Sequence, residues 1–171
     1  SIGNLLRLTK LGLTVNELEG EIPSEIGRLK NLKELHLDNN FLSGDIPESM
    51  GNLSSLNVLA MHSNNLSGSI PHQILALTQL EYLNLAGNNL TGAIPIEFGS
   101  LLRLNELSLH GNNLNGSIPA TLSKLTNLKV LTLHANNLVG DLPNFTTLAN
   151  LEYLTFGENF RPFPDEIGIL C

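Results

Sequence analysis

The sequence predicts an α/β solenoid, in which short coils of chain stack on one another around a continuous apolar core. Three features that recur in register predict it: a leucine, an asparagine eight residues later, and an Ile-Pro or Leu-Pro pair six residues after that. The period of 24 residues is the length of one coil. We expect a single domain over residues 1–171 with seven repeats, which begin near Leu8, Leu32, Leu56, Leu80, Leu104, Leu128 and, after one deletion, Leu151.

Each repeat begins with a segment typical of a half-buried strand. In LKELHL at 32–37, Leu35 and Leu37 alternate with polar residues, which places the leucines on one face and the polar side chains on the other. Because the coils stack, these strands are expected to lie side by side as a parallel sheet.

The recurring asparagine follows the strand. Its side-chain amide can bond backbone groups of the neighbouring coil that a buried turn would otherwise leave unpaired. Stacking then predicts a structural ladder made of Asn16, Asn40, Asn64, Asn88, Asn112, Asn136 and Asn159.

The second half of the repeat returns the chain to the start of the next strand. A glycine permits a turn or a close backbone approach, and the proline ends the local hydrogen bonding because it has no N–H group. Apolar residues then recur three positions apart, as in Ile26 and Leu29, which is the spacing of a 3-10 or single helical turn that faces the core.

The complete unit LxxLxLxxNxLxGxIPxxxxxLxx is present as LNVLAMHSNNLSGSIPHQILALTQ at 56–79. It resembles the plant-specific class of leucine-rich repeats, which forms ectodomains of receptor-like kinases and receptor-like proteins as well as polygalacturonase-inhibiting proteins. The resemblance implies a right-handed coil with a parallel sheet on the concave face and 3-10 or short helical turns on the convex face. Paired-cysteine caps are absent and the last unit is shortened at 159–164, so we expect a fragment of a longer chain.

Composition excludes several classes of partner. The net charge of −7 repels phosphate backbones and anionic lipids, so no nucleic acid is expected to bind. Apolar runs end well before the roughly 20 residues that a bilayer requires, so direct membrane insertion by this segment is not expected. The single cysteine, Cys171, has no partner for an internal disulfide and no companion metal ligand.

The outward side chains of the strands are the candidate ligand-binding surface, because the leucines between them are fixed by the core. Two tyrosines in one column are candidate anchors, and acidic residues outnumber lysines, which suits a neutral or basic peptide, or a glycan. The residues expected to bind a ligand are His36, Asp38, His62, Tyr82, Asn84, Glu106, Ser108, His110, Thr132, His134 and Tyr153.

Four of the five histidines fall on this surface, and His110 and His134 lie on adjacent strands. Two histidines without a third ligand make a poor zinc site, so no metal is expected. A pH-sensitive contact stays open as an alternative to ordinary surface histidines.

Five N-glycosylation sequons occur outside the strand columns, and used in a secretory setting they would leave the strand surface free. The consensus NNLSG itself creates two of them. The acceptor residues are Asn52, Asn65, Asn89, Asn115 and Asn144.

No catalytic motif is present, so we expect neither an enzyme nor a cofactor in this chain, although a kinase domain could lie outside it. The leading interpretation is an extracellular or cell-surface recognition domain that binds a peptide, protein or glycan, with a co-receptor as a further partner, in signalling or defence. The alternatives are a secreted inhibitor of a cell-wall-degrading enzyme and, third, an ice-binding protein.

Overall fold

The structure, a computed structural model, describes residues 1–159. Residues 160–171, which include Cys171 and most of the shortened end of the seventh repeat, lie outside the described part. In chain order the strands of residues 1–159 are β1 (Lys10–Gly12), β2 (Glu19–Glu21), β3 (Glu34–His36), β4 (Phe41–Asp45), β5 (Val58–Ala60), β6 (Asn65–Ser67), β7 (Tyr82–Asn84), β8 (Thr91–Ala93), β9 (Glu106–Ser108), β10 (Asn113–Ser117), β11 (Val130–Thr132), β12 (Asn137–Val139) and β13 (Tyr153–Thr155).

The odd-numbered strands form one parallel sheet of seven strands in the order of the chain. The register aligns the central leucines of all seven strands, from Leu11 in β1 to Leu154 in β13. The five inner leucines of this row are fully buried, and the two end ones are partly buried. The predicted parallel sheet is therefore confirmed.

The even-numbered strands form two smaller parallel sheets of three strands on the flank of the solenoid. One contains β2, β4 and β6, and the other contains β8, β10 and β12. The sequence did not predict these strands, because four of the six, β2, β4, β8 and β10, contain a glycine with positive φ, such as Gly44 at 74°, and glycine is unfavourable in strands.

The side opposite the large sheet, called here the helix side, carries short 3-10 helices. Five of them begin directly after the proline of the Ile-Pro pair, whose fixed φ suits a helix start, and each is followed directly by a buried leucine. The predicted 3-10 turns are confirmed. The helices are η1 (Ile2–Asn4), η2 (Ser24–Arg28), η3 (Glu48–Asn52), η4 (His72–Ala76), η5 (Ile96–Ser100) and η6 (Ala120–Lys124).

The asparagine after each strand joins neighbouring coils through both ends of its amide. Nδ2 of Asn64 donates to the carbonyl oxygens of Leu37 in the preceding coil (3.0 Å) and Met61 in its own coil (3.2 Å). Its Oδ1 accepts a hydrogen bond from the backbone N–H of Leu42 at 3.0 Å. These bonds pair both ends of the buried amide with backbone groups, which is why a polar side chain is tolerated inside the core.

Asn40, Asn88, Asn112, Asn136 and Asn159 make equivalent bonds. Asn16 differs, because it is exposed and its side chain bonds only to the carbonyl oxygens of Leu13 and Thr14 in its own coil. Within residues 1–159, no helix is long and apolar enough to cross a membrane.

Candidate functional site

The candidate site is the strand face, which we define as three columns of side chains across the seven-stranded sheet. The first and second columns are the first and third residues of each strand, and the third column is the second residue after it. In the second coil these residues are Glu34, His36 and Asp38. All the residues expected from the sequence to bind a ligand lie in these columns: His36, Asp38, His62, Tyr82, Asn84, Glu106, Ser108, His110, Thr132, His134 and Tyr153.

Charges at the N-terminal end of the strand face neutralise one another. Nζ of Lys10 lies 2.5 Å from Oε2 of Glu34, and Nε2 of His36 lies 3.3 Å from the same oxygen. The hydrogen bond from Lys10, followed by the one from His36, holds the pKa of Glu34 below its usual value. Since Lys10 and Glu34 are both exposed to solvent, the pair orients side chains more than it stabilises the fold.

Asp38 is a buried carboxylate with several hydrogen-bond donors around it. Its Oδ1 accepts a hydrogen bond from the hydroxyl of Thr14 at 3.1 Å, and its Oδ2 accepts one from Nδ2 of Asn39 at 3.0 Å. Nε2 of His62 lies 3.7 Å from Oδ2. Because a buried charge is costly without such partners, these contacts hold the carboxylate in one position on the strand face.

The centre of the strand face is held by hydrogen bonds between neighbouring columns. The hydroxyl of Tyr82 accepts a hydrogen bond from Nδ2 of Asn84 at 3.0 Å, and Ser108 donates to Glu106 at 3.0 Å. Burial raises the pKa of Tyr82, so the phenol is neutral over the physiological range. Side chains that are already ordered lose less conformational entropy when a ligand binds.

His110 and His134 stack in the third column. Their ring centroids are 4.5 Å apart and their planes differ by 9°. Nδ1 of His110 lies 2.9 Å from Oγ1 of Thr132, and Nδ1 of His134 lies 2.7 Å from Oγ1 of Thr155, in each case a threonine of the next coil. Burial lowers the pKa of His110, and its neighbours His134 and His62 lower it further, so His110 is neutral at pH 7.

The two tyrosines proposed as anchors sit in different environments. Tyr82 is half-buried among its neighbours, whereas Tyr153 is 55% exposed. Tyr153 therefore has more side-chain area available to a partner. Tyr82 exposes less of its side chain, and its hydroxyl is held by Asn84.

Three outward strand residues that are not in the set expected to bind a ligand contribute to this surface. Lys10 and Glu34 form the ion pair described above, and Thr155 holds the ring of His134. The pairing of Lys10 with Glu34 was open to prediction, since opposite charges one period apart meet on adjacent parallel strands.

No group of three or more His, Cys, Asp or Glu residues within residues 1–159 could hold a metal ion. The five sequon asparagines are all exposed and lie outside the three columns of the strand face: Asn52, Asn65, Asn89, Asn115 and Asn144.

The stacked coils, the parallel sheet and the asparagine ladder define a class of repeat protein, and comparison with known families identifies it. Residues 30–90 match the family described as Leucine rich repeat, and residues 102–147 match the one described as Leucine Rich repeats (2 copies). Together the matches cover more than half of the chain, which belongs to the leucine-rich-repeat proteins. Comparison with curated proteins gives no match.

Among solved structures, the chain is similar to a TDR receptor, with 36% identity and a TM-score of 0.91 over 92% of this chain and 28% of that one. It is also similar to the ectodomain of the Arabidopsis receptor kinase HAESA in complex with an extended IDA peptide hormone, with 38% identity and a TM-score of 0.90 over 92% and 27% of the two chains. A plant ice-binding protein matches at 35% identity and a TM-score of 0.82 over 92% and 51%. The chain therefore resembles plant receptor ectodomains, and it spans less than a third of the length of the two receptors.

Proposed function

We propose that this chain is a non-catalytic recognition segment of an extracellular receptor-like protein or receptor-like kinase, and that it binds a peptide or protein ligand along the strand face in signalling or defence. The observation that carries the proposal is the strand face itself. Its three columns hold different side chains from coil to coil, whereas the buried framework beneath them repeats. A solenoid presents such a surface as one extended platform for an elongated ligand.

The similarity to HAESA, which was solved with a peptide hormone bound, supports a peptide as the class of ligand. The charges on the strand face refine this choice. Glu34, Asp38 and Glu106 lie in its columns with one lysine, Lys10, which already pairs with Glu34. The remaining carboxylates favour a neutral or basic segment of the ligand over an acidic one.

The positions of the sequons support an extracellular setting. Each of the five acceptor asparagines is exposed on the flank or helix side. Glycans there would cover the outside of the solenoid and leave the strand face accessible.

A peptide-display selection on the immobilised protein tests the proposal. The informative variant is Tyr153→Ala on the strand face, and its matched control is Leu102→Ala outside the strand face, because both side chains are 55% exposed. We expect selected peptides to lose about tenfold or more in affinity with Tyr153→Ala, the effect of removing an aromatic anchor, and to be unaffected by Leu102→Ala. Failure to select any peptide, or equal effects of the two substitutions, would contradict binding at the strand face.

Ice binding is the second candidate, and the similarity to a plant ice-binding protein favours it. The flank of the solenoid would have to supply a regular polar array. The residues before the flank glycines are instead mixed: Glu19, Ser43, Ser67, Thr91, Asn115 and Val139. Thermal hysteresis of the purified protein decides this point, and a clear freezing-point gap would replace the receptor proposal.

A further inference from the structure

The 3-10 helices on the helix side pack closely where the chain has glycine. The fourth residue of η2, η3 and η5 is Gly27, Gly51 or Gly99. A Cβ atom at these positions would lie only 2.2 to 2.4 Å from the carbonyl oxygen of the second residue in the next helix. Such a separation is far below van der Waals contact, so the close approach of these helices requires glycine.

The fourth residue of η4 is Leu75 instead. A Cβ at the usual helix spacing would collide with the backbone of the following helix, which is η5. The structure accommodates it by separating the two helices, and η4 packs less closely against η5 than the helices of any other consecutive pair do. Leu75 therefore acts as a spacer between the third and fourth coils.

Side-chain hydrogen bonds between the two helices η4 and η5 are also missing. Ser49 in η3 donates to the carbonyl oxygen of Ser24 in η2 at 2.7 Å, and Thr121 in η6 donates to that of Ile96 in η5. The equivalent residues of η4 and η5 are Gln73 and Glu97, and within residues 1–159 neither makes this bond to the preceding helix. Within the part of the chain that the structure describes, no side chain of η5 bonds to η4.

The flank sheets separate at the same boundary. Neighbouring flank strands elsewhere pair over three residues, as β4 does with β6 and β8 does with β10. Between β6 and β8 the pairing falls to one isolated bridge, Ser69 with Thr91. Two backbone hydrogen bonds still cross the flank here, from the N–H groups of Asn89 and Thr91 to the carbonyl oxygens of Leu66 and Gly68, each at 2.8 Å. The strand pairing of the flank is therefore shortest where the helix side is open.

The strand side of this boundary is intact. β5 and β7 pair over three residues, with Leu59 opposite Leu83. Asn88 still donates to the carbonyl oxygen of Met61 at 3.0 Å and accepts from the N–H of Leu66 at 3.0 Å. The two halves of the solenoid are therefore tied along the strand side, joined by a shorter strand pairing along the flank, and most loosely packed on the helix side.

We propose that the solenoid hinges at this boundary, with residues 1–79 and 80–159 moving as two blocks about the β5–β7 pairing. The strand pairing is the axis because it keeps its hydrogen bonds, and the helix side opens and closes because Leu75 holds it apart. Collective motion of this kind needs a few residues that absorb the change while packed blocks move as units. The hinge is independent of which ligand the strand face binds.

Distance measurements between spin labels test the hinge in the full chain, with its single cysteine, Cys171, replaced by serine. One pair of labels, at positions 24 and 72, lies within the first block. The other, at positions 72 and 120, spans the boundary. All three positions are exposed first residues of 3-10 helices, and each pair is two coils apart. We expect a broader distance distribution for the pair that spans the boundary, and equal widths in the two pairs would overturn the hinge.

Two substitutions of Leu75 distinguish the effect of its Cβ on the spacing of η4 and η5 from the effect of its apolar packing. Leu75→Gly removes the Cβ and should let η4 approach η5, which shortens and narrows the distribution between positions 72 and 120. Leu75→Ser removes the same apolar packing but keeps the Cβ, so it should leave the distribution broad. The same result from both substitutions would contradict the role of Leu75, and if Leu75→Gly fails to fold, the comparison of the two label pairs in the parent chain still decides the hinge.

Discussion

The turn after each strand forces single residues into a backbone conformation that they disfavour. The residue that follows the third column has positive φ in every coil. In five coils it is not glycine: Val15, Asn39, Ser63, Ala135 and Glu158, with φ between 52° and 57°. Gly87 and Gly111 occupy the same place in the other two coils. The left-handed region is costly for residues with a Cβ, and most costly for a β-branched one.

Val15 is the residue where this cost can be relieved. It has φ of 54° and is 74% exposed, so little packing is lost on substitution. We expect Val15→Gly to raise the free energy of unfolding by about 0.5–1 kcal/mol, as relief of the left-handed strain exceeds the added entropy of the unfolded chain. Urea denaturation checks this. Gly87→Ala should change stability in the opposite direction, and a loss of stability in Val15→Gly would show that the turn imposes no strain.

The asparagine ladder predicts that removing one side-chain amide lowers the free energy of unfolding by an amount that depends on its position in the ladder. Asn112 is buried and bonds to the backbone of Leu85, Leu90 and Leu109. Asn112→Ala removes the acceptor of the Leu90 N–H and one of the two asparagine donors to each of the carbonyl oxygens of Leu85 and Leu109, and it should cost about 2–4 kcal/mol. Asn16→Ala should cost well under half of that, since its bonds stay within one exposed turn. Equal losses in the two variants, measured by urea denaturation, would contradict the ladder as the source of the stability.

His110 makes stability depend on pH. Burial, with the neighbouring His134 and His62, lowers its pKa below the ordinary 6.5, so the unfolded chain binds this proton more readily than the folded chain. The contribution of His110 is therefore complete above the unfolded pKa and is lost as the pH falls below it. We expect stability to fall between about pH 7.5 and 5.5, and to fall less in His110→Gln. His72→Gln, an exposed control on the helix side, should behave like the parent protein. If the pH profile of stability is unchanged in His110→Gln, His110 is excluded as the cause of the pH dependence.

The 3-10 helices pack closely against one another, and the addition of one methyl group to a helix tests this packing. A Cβ at Gly51 would lie 2.4 Å from the carbonyl oxygen of Gln73, whereas a Cβ at Gly12 meets nothing within 4 Å. We expect Gly51→Ala to lower the free energy of unfolding by about 1–3 kcal/mol through overpacking. Gly12→Ala should be close to neutral. Thermal unfolding of the two variants provides the comparison, and similar midpoints would mean that η3 and η4 adjust freely.

The elements differ in how far the sequence predicts them. The period of two around Leu35 and Leu37 predicts the strand, and proline followed by Ile26 and Leu29 predicts the 3-10 turn, because each pattern reflects one local backbone geometry. The flank strands escaped prediction since glycines such as Gly44 interrupt them. At the candidate site, the repeat period predicts the columns of the strand face. The stacking of the His110 and His134 rings was not predicted, because it depends on side-chain rotamers that the repeat spacing does not determine.

For the whole molecule, stability should be close to a sum over coils and their contacts with neighbours. Removal of residues 80–103, one full period of 24 residues, joins the third coil to the fifth with every column in register. We expect this variant to fold, with a smaller m-value in proportion to the surface that it buries. Removal of residues 80–91 places apolar positions against polar ones and should abolish cooperative unfolding. Circular dichroism during urea denaturation distinguishes the two, and loss of folding in the first variant would contradict the additive picture.

The buried amide oxygens also determine which backbone protons are hardest to replace with deuterium. The N–H groups of Leu42, Leu66, Leu90 and Leu114 each donate to such an oxygen in a buried position, whereas those of Leu18 and Leu138 do so in partly buried ones. Exchange at these sites requires the opening of a coil, which is easiest at the ends of an array. The hydrogen-exchange rates of these six leucine amides should therefore be slowest in the middle of the array. Their order along the chain reports how far the solenoid opens from either end.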